Sequence, residues 1–150
     1  MLKKLLVCTS LMVLLVSGVA HAENKEETVV ALLTKAVKHF ETAGAEQAQK
    51  DFAVKDGEYY KGEFYVVTQS MKTNKIMSHP VNPKLNGKSL MKVKDTDGKA
   101  FIQEMVEIAN KQETGWVSYK WPHPVTKKIA SKRSYIVRSG DVLFISGYYE

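Results

Sequence analysis

The sequence predicts an α+β domain, in which an antiparallel sheet of about five strands packs against helices that lie mainly on one of its faces. A long amphipathic helix comes first, since Val29, Leu33, Ala36 and Phe40 recur at spacings of three and four residues. The pattern then changes to short runs of β-branched and aromatic residues between turns. One further amphipathic segment separates the first two runs from the last three.

The helical pattern extends from Glu26 to about Ala53, and Gly44 interrupts it. We therefore predict a long helix, a break or kink at Gly44, and a shorter helix that ends before Asp56. The apolar stripe of the long helix is expected to pack on its own domain. A helix–helix seam in a dimer is the alternative.

Five segments have the composition of strands, and residues rich in Pro, Gly and Asn connect them. A second helix is predicted between the second and third strands, because Phe101, Met105 and Ile108 share a helical face. Asp97 is a natural N-cap for that helix. The predicted strands are residues 63–68, 75–79, 115–121, 129–137 and 142–149.

The first 22 residues have the pattern of a signal peptide. Lys3 and Lys4 precede an apolar run over residues 5–16, and Ala20-His21-Ala22 is a small-x-small cleavage site. The run is shorter than the roughly 20 residues of a membrane span, although an uncleaved anchor is the alternative. We expect export to the periplasm and a single domain over residues 23–150.

Composition excludes several classes of function. Cys8 is the one cysteine and lies in the predicted signal peptide, so a disulfide-based fold is not expected. The net charge of +6 includes Lys3 and Lys4 and is spread thinly over the chain. Nucleic-acid binding is therefore not expected, because it needs a concentrated basic surface.

The sequence also lacks the motifs of common catalytic and metal sites. It has no Gly-x-Ser-x-Gly elbow, and His39, His79 and His123 do not have metal-ligand spacing. Residues 95–98 resemble the start of a calcium loop, but Val106 stands where the loop needs a glutamate. We predict that the protein is not an enzyme and that it holds no metal and no cofactor.

The most informative stretch is Gly115 to Pro122, followed by residues 132–135. Tyr119 and Trp121 are two apart in a strand and therefore share a face, where they can line a small-molecule pocket. Lys132 can bind a carboxylate through charge-assisted hydrogen bonds. From the residues alone, a solvated strand lysine is the other interpretation of Lys132.

Several segments, taken in order and spacing, resemble the single Cache domain, the extracytoplasmic PAS-like sensor domain of chemoreceptors and sensor histidine kinases. The resemblance runs from roughly Ala31 to Tyr149. The segments are Phe64-Tyr65-Val66-Val67, residues 79–88 from His79-Pro80 to Gly87-Lys88, residues 94–99, residues 115–121, Lys132-x-Ser134-Tyr135 and Gly147-Tyr148-Tyr149.

The resemblance implies a PAS-like antiparallel sheet behind the long N-terminal helix. It also implies a pocket on the sheet for a small organic acid such as acetate, propionate, lactate or pyruvate, with Lys132 as the residue that binds the carboxylate.

Five further residues complete the predicted site. Trp121 and Tyr119 are expected to line it, and His79 can donate to a carboxylate. Tyr65 and Tyr135 can supply hydroxyl groups. Tyr135 differs from Lys132 in strand parity, however, so without a bulge the two side chains face opposite sides of the sheet.

The predicted function is that of a periplasmic domain that binds a small organic acid in signal transduction. Because the sequence ends at Glu150, one residue after the last predicted strand, we expect it to stand alone and to act with a membrane-bound sensor partner. The alternative is an accessory protein that binds no ligand and pairs through its N-terminal helix, with a sensor or as a homodimer. Catalysis involving His79 or Lys132 is a third hypothesis.

Overall fold

A five-stranded antiparallel sheet forms the centre of the fold, with the strand order β4-β3-β7-β6-β5. The structure is a computed structural model and describes residues 24–150; the predicted signal peptide lies outside them. The helices are α1 (Lys25–Ala43), α2 (Ala45–Phe52) and α3 (Phe101–Gln112), and a 3-10 turn spans Pro83–Leu85. The strands are β1 (Tyr60–Lys61), β2 (Phe64–Tyr65), β3 (Val67–Ser70), β4 (Ile76–Ser78), β5 (Thr114–Pro122), β6 (Ile129–Ser139) and β7 (Val142–Tyr149).

The fold class and the order of elements are confirmed. The predicted strand over residues 63–68 is divided in two, because the chain leaves a small β1–β2 hairpin before it joins the sheet as β3. The last three strands pair as one continuous antiparallel meander, and Gly140, with a φ of 56°, makes the turn between β6 and β7.

Helix α1 covers one face of the sheet. The Asn24 side chain caps its start by accepting hydrogen bonds from the backbone N–H groups of Glu26 and Glu27. The predicted break is confirmed at Gly44, whose φ of 83° suits a residue without Cβ.

The apolar stripe of α1 packs inside its own domain. Leu33 and Ala36 are fully buried in a cluster with Phe144, and the Phe40 ring meets Phe144 edge-on at 5.2 Å. The dimer-seam alternative for the stripe is therefore wrong, because the sheet already covers it.

Helix α3 covers the opposite face, so the expectation that the helices lie mainly on one face is wrong in this respect. Met105 and Phe101 are buried with Ile136, Leu143 and Ile145, which point away from α1. Successive residues of a strand alternate between faces, and both faces of β6 and β7 are apolar. Each face therefore needs its own cover.

Asp97 does not cap α3. The N-cap position is Ala100, three residues later, and no side chain caps the helix, which begins at Phe101. The Asp95 carboxylate instead accepts hydrogen bonds from the backbone N–H groups of Asp97, Lys99 and Lys120. Asp95 therefore ties the loop before α3 to the neighbouring strand β5.

Among the residues that the structure describes, no helix is long and apolar enough to cross a membrane.

Thr68 allows a test of the packing under α1. It is fully buried opposite Phe144, and no protein group within residues 24–150 bonds its hydroxyl. A buried hydroxyl without a partner costs about 1–3 kcal/mol, so we expect Thr68→Val to raise the free energy of unfolding by roughly 1 kcal/mol or more. Urea denaturation measures this change.

Ser134→Ala is the matched control, because Ser134 is equally buried but its hydroxyl bonds Tyr119 Oη at 3.1 Å. Removing it leaves a buried phenol without that partner, so this variant should lose stability. A loss of stability in Thr68→Val as well would contradict the account.

Candidate functional site

A small cavity lies between the sheet and α3, on the face away from α1. Its volume is about 30 Å³, measured as the space open to the centre of a water molecule. Its polar lining residues are Tyr65, His79, Tyr119 and Lys132, and its apolar ones are Val67, Ile76, Leu90, Phe101, Ile102, Met105, Trp121 and Ile145.

The sheet register sets Lys132 at the centre of the polar wall. Lys132 on β6 pairs with Tyr119 on β5 and with Tyr149 on β7, so the three side chains stand in one row. The Lys132 side chain is buried, with 4% of its surface exposed. The interpretation of Lys132 as a solvated strand lysine is therefore wrong.

Aromatic groups surround the Lys132 ammonium. Its Nζ donates a hydrogen bond to Tyr65 Oη at 2.7 Å and lies 4.1 Å from the Tyr65 ring centroid. The Tyr149 ring centroid is 5.0 Å away. Ring faces stabilise a cation weakly, by about 2 kcal/mol when desolvated, which is less than burial of the charge costs.

Burial lowers the pKa of Lys132 from 10.5 to about 7, and the negative charge of Glu63 opposes this shift. Glu63 is already engaged elsewhere, since its carboxylate accepts from Lys25 Nζ at 2.8 Å and from the Tyr149 backbone N–H at 2.7 Å. No carboxylate within residues 24–150 forms an ion pair with Lys132. The cavity thus holds a buried cation without a contacting counter-ion.

His79 presents a proton to the same cavity. Its backbone N–H donates to Asn86 Oδ1 at 2.8 Å, and its Nδ1 accepts from the Asn82 N–H at 3.1 Å. Burial lowers the pKa of His79 to about 4, and the charge of Lys132 adds to this effect. The neutral ring therefore carries its proton on Nε2, which makes that nitrogen a donor.

Aromatic rings form another part of the cavity lining. The Tyr119 ring stacks on Phe101 at 4.3 Å between centroids, and Trp121 meets Phe101 at 5.3 Å with its edge. Burial raises the pKa of the Tyr119 phenol, whose hydroxyl is bonded to Ser134. These rings suit the apolar part of a ligand, because they offer mainly carbon surface and the Tyr119 hydroxyl is bonded to Ser134.

The structure brings together five of the six predicted site residues: Tyr65, His79, Tyr119, Trp121 and Lys132. It does not bring Tyr135 to them. Tyr135 packs against Trp116 at 4.9 Å on the face that α1 covers. No bulge interrupts β6, so its parity places the side chain opposite to that of Lys132.

Sequence reasoning missed Tyr149 and Phe101 as parts of this site. Tyr149 Oη donates to the Pro122 carbonyl oxygen at 2.8 Å, which holds the ring beside Lys132. Tyr149 could have been found from its position in β7, where strand parity places it on the same face as Lys132. Phe101 could have been found from the apolar face of α3, to which it belongs. The need for a glycine at position 147 was also not predicted. A Cβ there would collide with the Arg133 carbonyl oxygen and with Ser134.

Within residues 24–150, no three His, Cys, Asp or Glu side chains are grouped so that they could hold a metal ion. The polar groups in the cavity are one amine, one imidazole and two phenols. This set can bind and orient an anion.

The sequence profile of the Cache domain matches residues 22–142. The chain belongs to the Cache domain family. The resemblance seen in the sequence is thereby confirmed over most of the chain, together with the PAS-like arrangement of the sheet.

This Cache domain is 44% identical over 62 residues to the methyl-accepting chemotaxis protein McpP of Pseudomonas putida. That stretch covers 41% of the chain and only 11% of the receptor. The chain is thus similar to one part of a much longer chemoreceptor.

Three solved structures share the fold. A methyl-accepting chemotaxis protein from Vibrio parahaemolyticus superposes with a TM-score of 0.72 at 19% identity, over 83% of this chain and 87% of that one. A Cache chemosensory domain described for its carboxylic acid recognition gives 0.64 at 27% identity, over 82% and 86%. A periplasmic sensor domain of a chemotaxis protein gives 0.63 at 24%, over 82% and 88%.

The buried amine makes the stability of this Cache domain depend on pH. The folded pKa of Lys132 is about 7 and the unfolded value is 10.5, so between these values the unfolded chain binds more protons. The contribution of Lys132 to stability is therefore most unfavourable below pH 7 and improves as pH rises. We expect Lys132→Met to be more stable than the wild type at pH 6, with an advantage that shrinks by up to about 1.4 kcal/mol per pH unit above pH 7.

Urea denaturation between pH 6 and pH 10 measures this difference. Lys120→Met is the matched control, because Lys120 is a lysine on the facing strand with the opposite parity, and its Nζ bonds Ser131 Oγ. An advantage of Lys132→Met that stays constant with pH would show that the buried amine does not titrate as described.

Proposed function

We propose that this Cache domain is an extracytoplasmic sensor domain that binds a short monocarboxylic acid. The observation that carries the proposal is the buried Lys132 ammonium, which lines the cavity and has no contacting carboxylate among residues 24–150. A ligand carboxylate would supply the missing counter-charge. Such charge-assisted hydrogen bonds are strong where water is excluded.

The size of the cavity favours acids of two or three carbons. One water molecule needs about 10–15 Å³ on the measure used above, so about 30 Å³ holds roughly two or three waters. Acetate has four non-hydrogen atoms and is nearest to this size, whereas propionate has five, and lactate and pyruvate have six. The solved Cache domain described for carboxylic acid recognition, at 27% identity, supports the same ligand class.

Each side chain then has a distinct role. Lys132 Nζ and His79 Nε2 donate to the carboxylate oxygens, and Tyr65 positions the amine through its 2.7 Å hydrogen bond. Tyr119 and Trp121 contact the carbon chain. Tyr135 has no direct role, because it lies on the other face of the sheet.

We further propose that residues 1–22 are a signal peptide that directs the domain, residues 23–150, to the periplasm. The chemoreceptor relatives support a role in signal transduction through a membrane-bound sensor. The domain binds its ligand without converting it. The set of donors around the cavity includes no nucleophile paired with a base.

Removing the amine tests the proposal directly. We expect Lys132→Met to weaken acetate and propionate binding by about 2–5 kcal/mol, at least about 30-fold in Kd, because the carboxylate would be buried without its cation. Isothermal titration calorimetry on protein purified from cells that express the whole sequence measures the loss.

The control is again Lys120→Met, which removes a lysine from the same β-hairpin but from the other face. It should leave the Kd unchanged. If the wild type binds none of the four acids, or if both variants bind them equally well, the proposal fails.

The pH dependence of binding is a second test. A bound carboxylate raises the pKa of Lys132 above its value of about 7 in the empty protein, so binding above pH 7 takes up a proton. Affinity should therefore fall by up to about tenfold per pH unit above pH 7 and level off below it. Titrations in buffers of different ionisation enthalpy count the proton.

Lys132→Arg distinguishes titration of Lys132 from other effects of pH on affinity, because a guanidinium stays charged throughout the range. Where that variant binds acetate, its affinity should be constant between pH 6 and pH 9. Proton uptake that persists in Lys132→Arg would mean that another group titrates.

A further inference from the structure

A second, larger space lies beside the cavity. This outer cleft has a volume of about 220 Å³ on the same measure, and its walls come from the loop after β4 and from the end of the β5–β6 hairpin. Val81, Pro122 and Pro124 make much of its lining apolar. The outer cleft therefore offers several times the room of the inner cavity.

Two side chains, His79 and Trp121, line both spaces and so form the partition between them. His79 is fixed, since the loop binds both its backbone N–H and its Nδ1. Trp121 is held differently. Within residues 24–150 its indole makes ring contacts, to Phe101 at 5.3 Å and to Tyr119 at 6.3 Å, and no hydrogen bond.

The position of Trp121 in the strand explains why it can act as a partition. Trp121 is half-buried at the end of β5, and its parity turns it towards Lys132 and the cavity. The next residue, Pro122, is anchored through its carbonyl oxygen by Tyr149. The backbone is thus secured, while the indole faces the outer cleft on one side.

We propose that Trp121 is the specificity-determining residue of the site and limits the ligand to short acids by closing the inner cavity towards the outer cleft. This inference rests on the proposed function. Once the carboxylate lies at Lys132, the fourth and later carbons of a linear acid have no room inside. With a smaller side chain at position 121, those carbons would extend into the outer cleft, between Val81 and Pro124.

The test is a series of variants, Trp121→Phe and Trp121→Leu, titrated calorimetrically with the linear acids from acetate to hexanoate. We expect the wild type to lose affinity sharply beyond three carbons. Each excluded methylene group is worth about tenfold or more. The longest acid that binds should increase from Trp to Phe to Leu, because within each variant the affinity for the longer acids should rise relative to the affinity for acetate.

Trp116→Leu is the matched control. The sequence has two tryptophans, and Trp116 lies in the same strand on the face that α1 covers. The same substitution there should leave the preference for short acids intact. Val81→Ala enlarges the outer cleft without opening the partition, so it should not admit longer acids either.

Fluorescence gives a reading that does not require any change at position 121. In Trp116→Leu the remaining tryptophan is Trp121, and its emission should shift on binding of propionate. This measurement shows whether Trp121 contacts the ligand even where Trp121→Leu fails to fold, and Trp121→Phe then tests the length limit.

The outcomes separate the inference from the proposed function. No binding of any acid to the wild type would overturn both. Short-acid binding with an unchanged length limit in both Trp121 variants, or with no fluorescence change, would overturn the partition alone. If longer acids bind equally well to Trp121→Leu and to Trp116→Leu, the partition is also overturned. The effect would then come from a general loss of packing and not from the position of Trp121.

Discussion

An ammonium group that is taken out of water must find a counter-ion or lose its proton, and the structure around Lys132 is organised by this constraint. The Glu63 carboxylate, whose charge acts on the pKa of Lys132, instead forms an ion pair with Lys25 and accepts a hydrogen bond from the Tyr149 backbone N–H. The groups in contact with the amine are a phenol and two ring faces. They hold its position without neutralising its charge.

The same contacts join the cavity to the first turn of α1. Lys25 Nζ binds both Glu63 Oε1 at 2.8 Å and the Tyr149 carbonyl oxygen at 2.9 Å. Tyr149 in turn lies beside Lys132 in the sheet register. The first turn of α1 is therefore linked by contacts to the part of the sheet that carries Lys132, although α1 itself covers the other face.

The two faces of the sheet differ in how they are packed. On the α1 face, Phe144 and Leu33 are buried in a hydrophobic core. The α3 face carries the cavity, because the ring of Tyr119 and the amine of Lys132 replace the aliphatic residues that would otherwise meet the helix. Gly147 allows β6 and β7 to pair closely at this point, where Ser134 occupies the space of a side chain.

Local patterns in the sequence determined the helices, the break at Gly44, most of the strands and the hairpin turns, because periodicity and turn chemistry act over a few residues. Strand parity also separated Tyr135 from Lys132 correctly. Local pattern was insufficient where a residue bonds a distant segment. Asp97 was expected to cap α3, but the carboxylate that organises this loop is that of Asp95, which accepts a hydrogen bond from the Lys120 N–H on β5. The two-sided cover of the sheet was missed for the same reason.

The site shows the same division. The residue types and their strand parity pointed to Tyr119 and Trp121, and the family resemblance favoured Lys132 as the residue that binds the carboxylate. The burial of Lys132 could not be predicted from its neighbours Lys127, Lys128 and Arg133. It depends on Tyr65 and Tyr149, which lie far from it in sequence and meet it only when β2, β6 and β7 come together. Tertiary structure alone decided that this lysine lacks a counter-ion, because a side chain's desolvation is set by what packs over it.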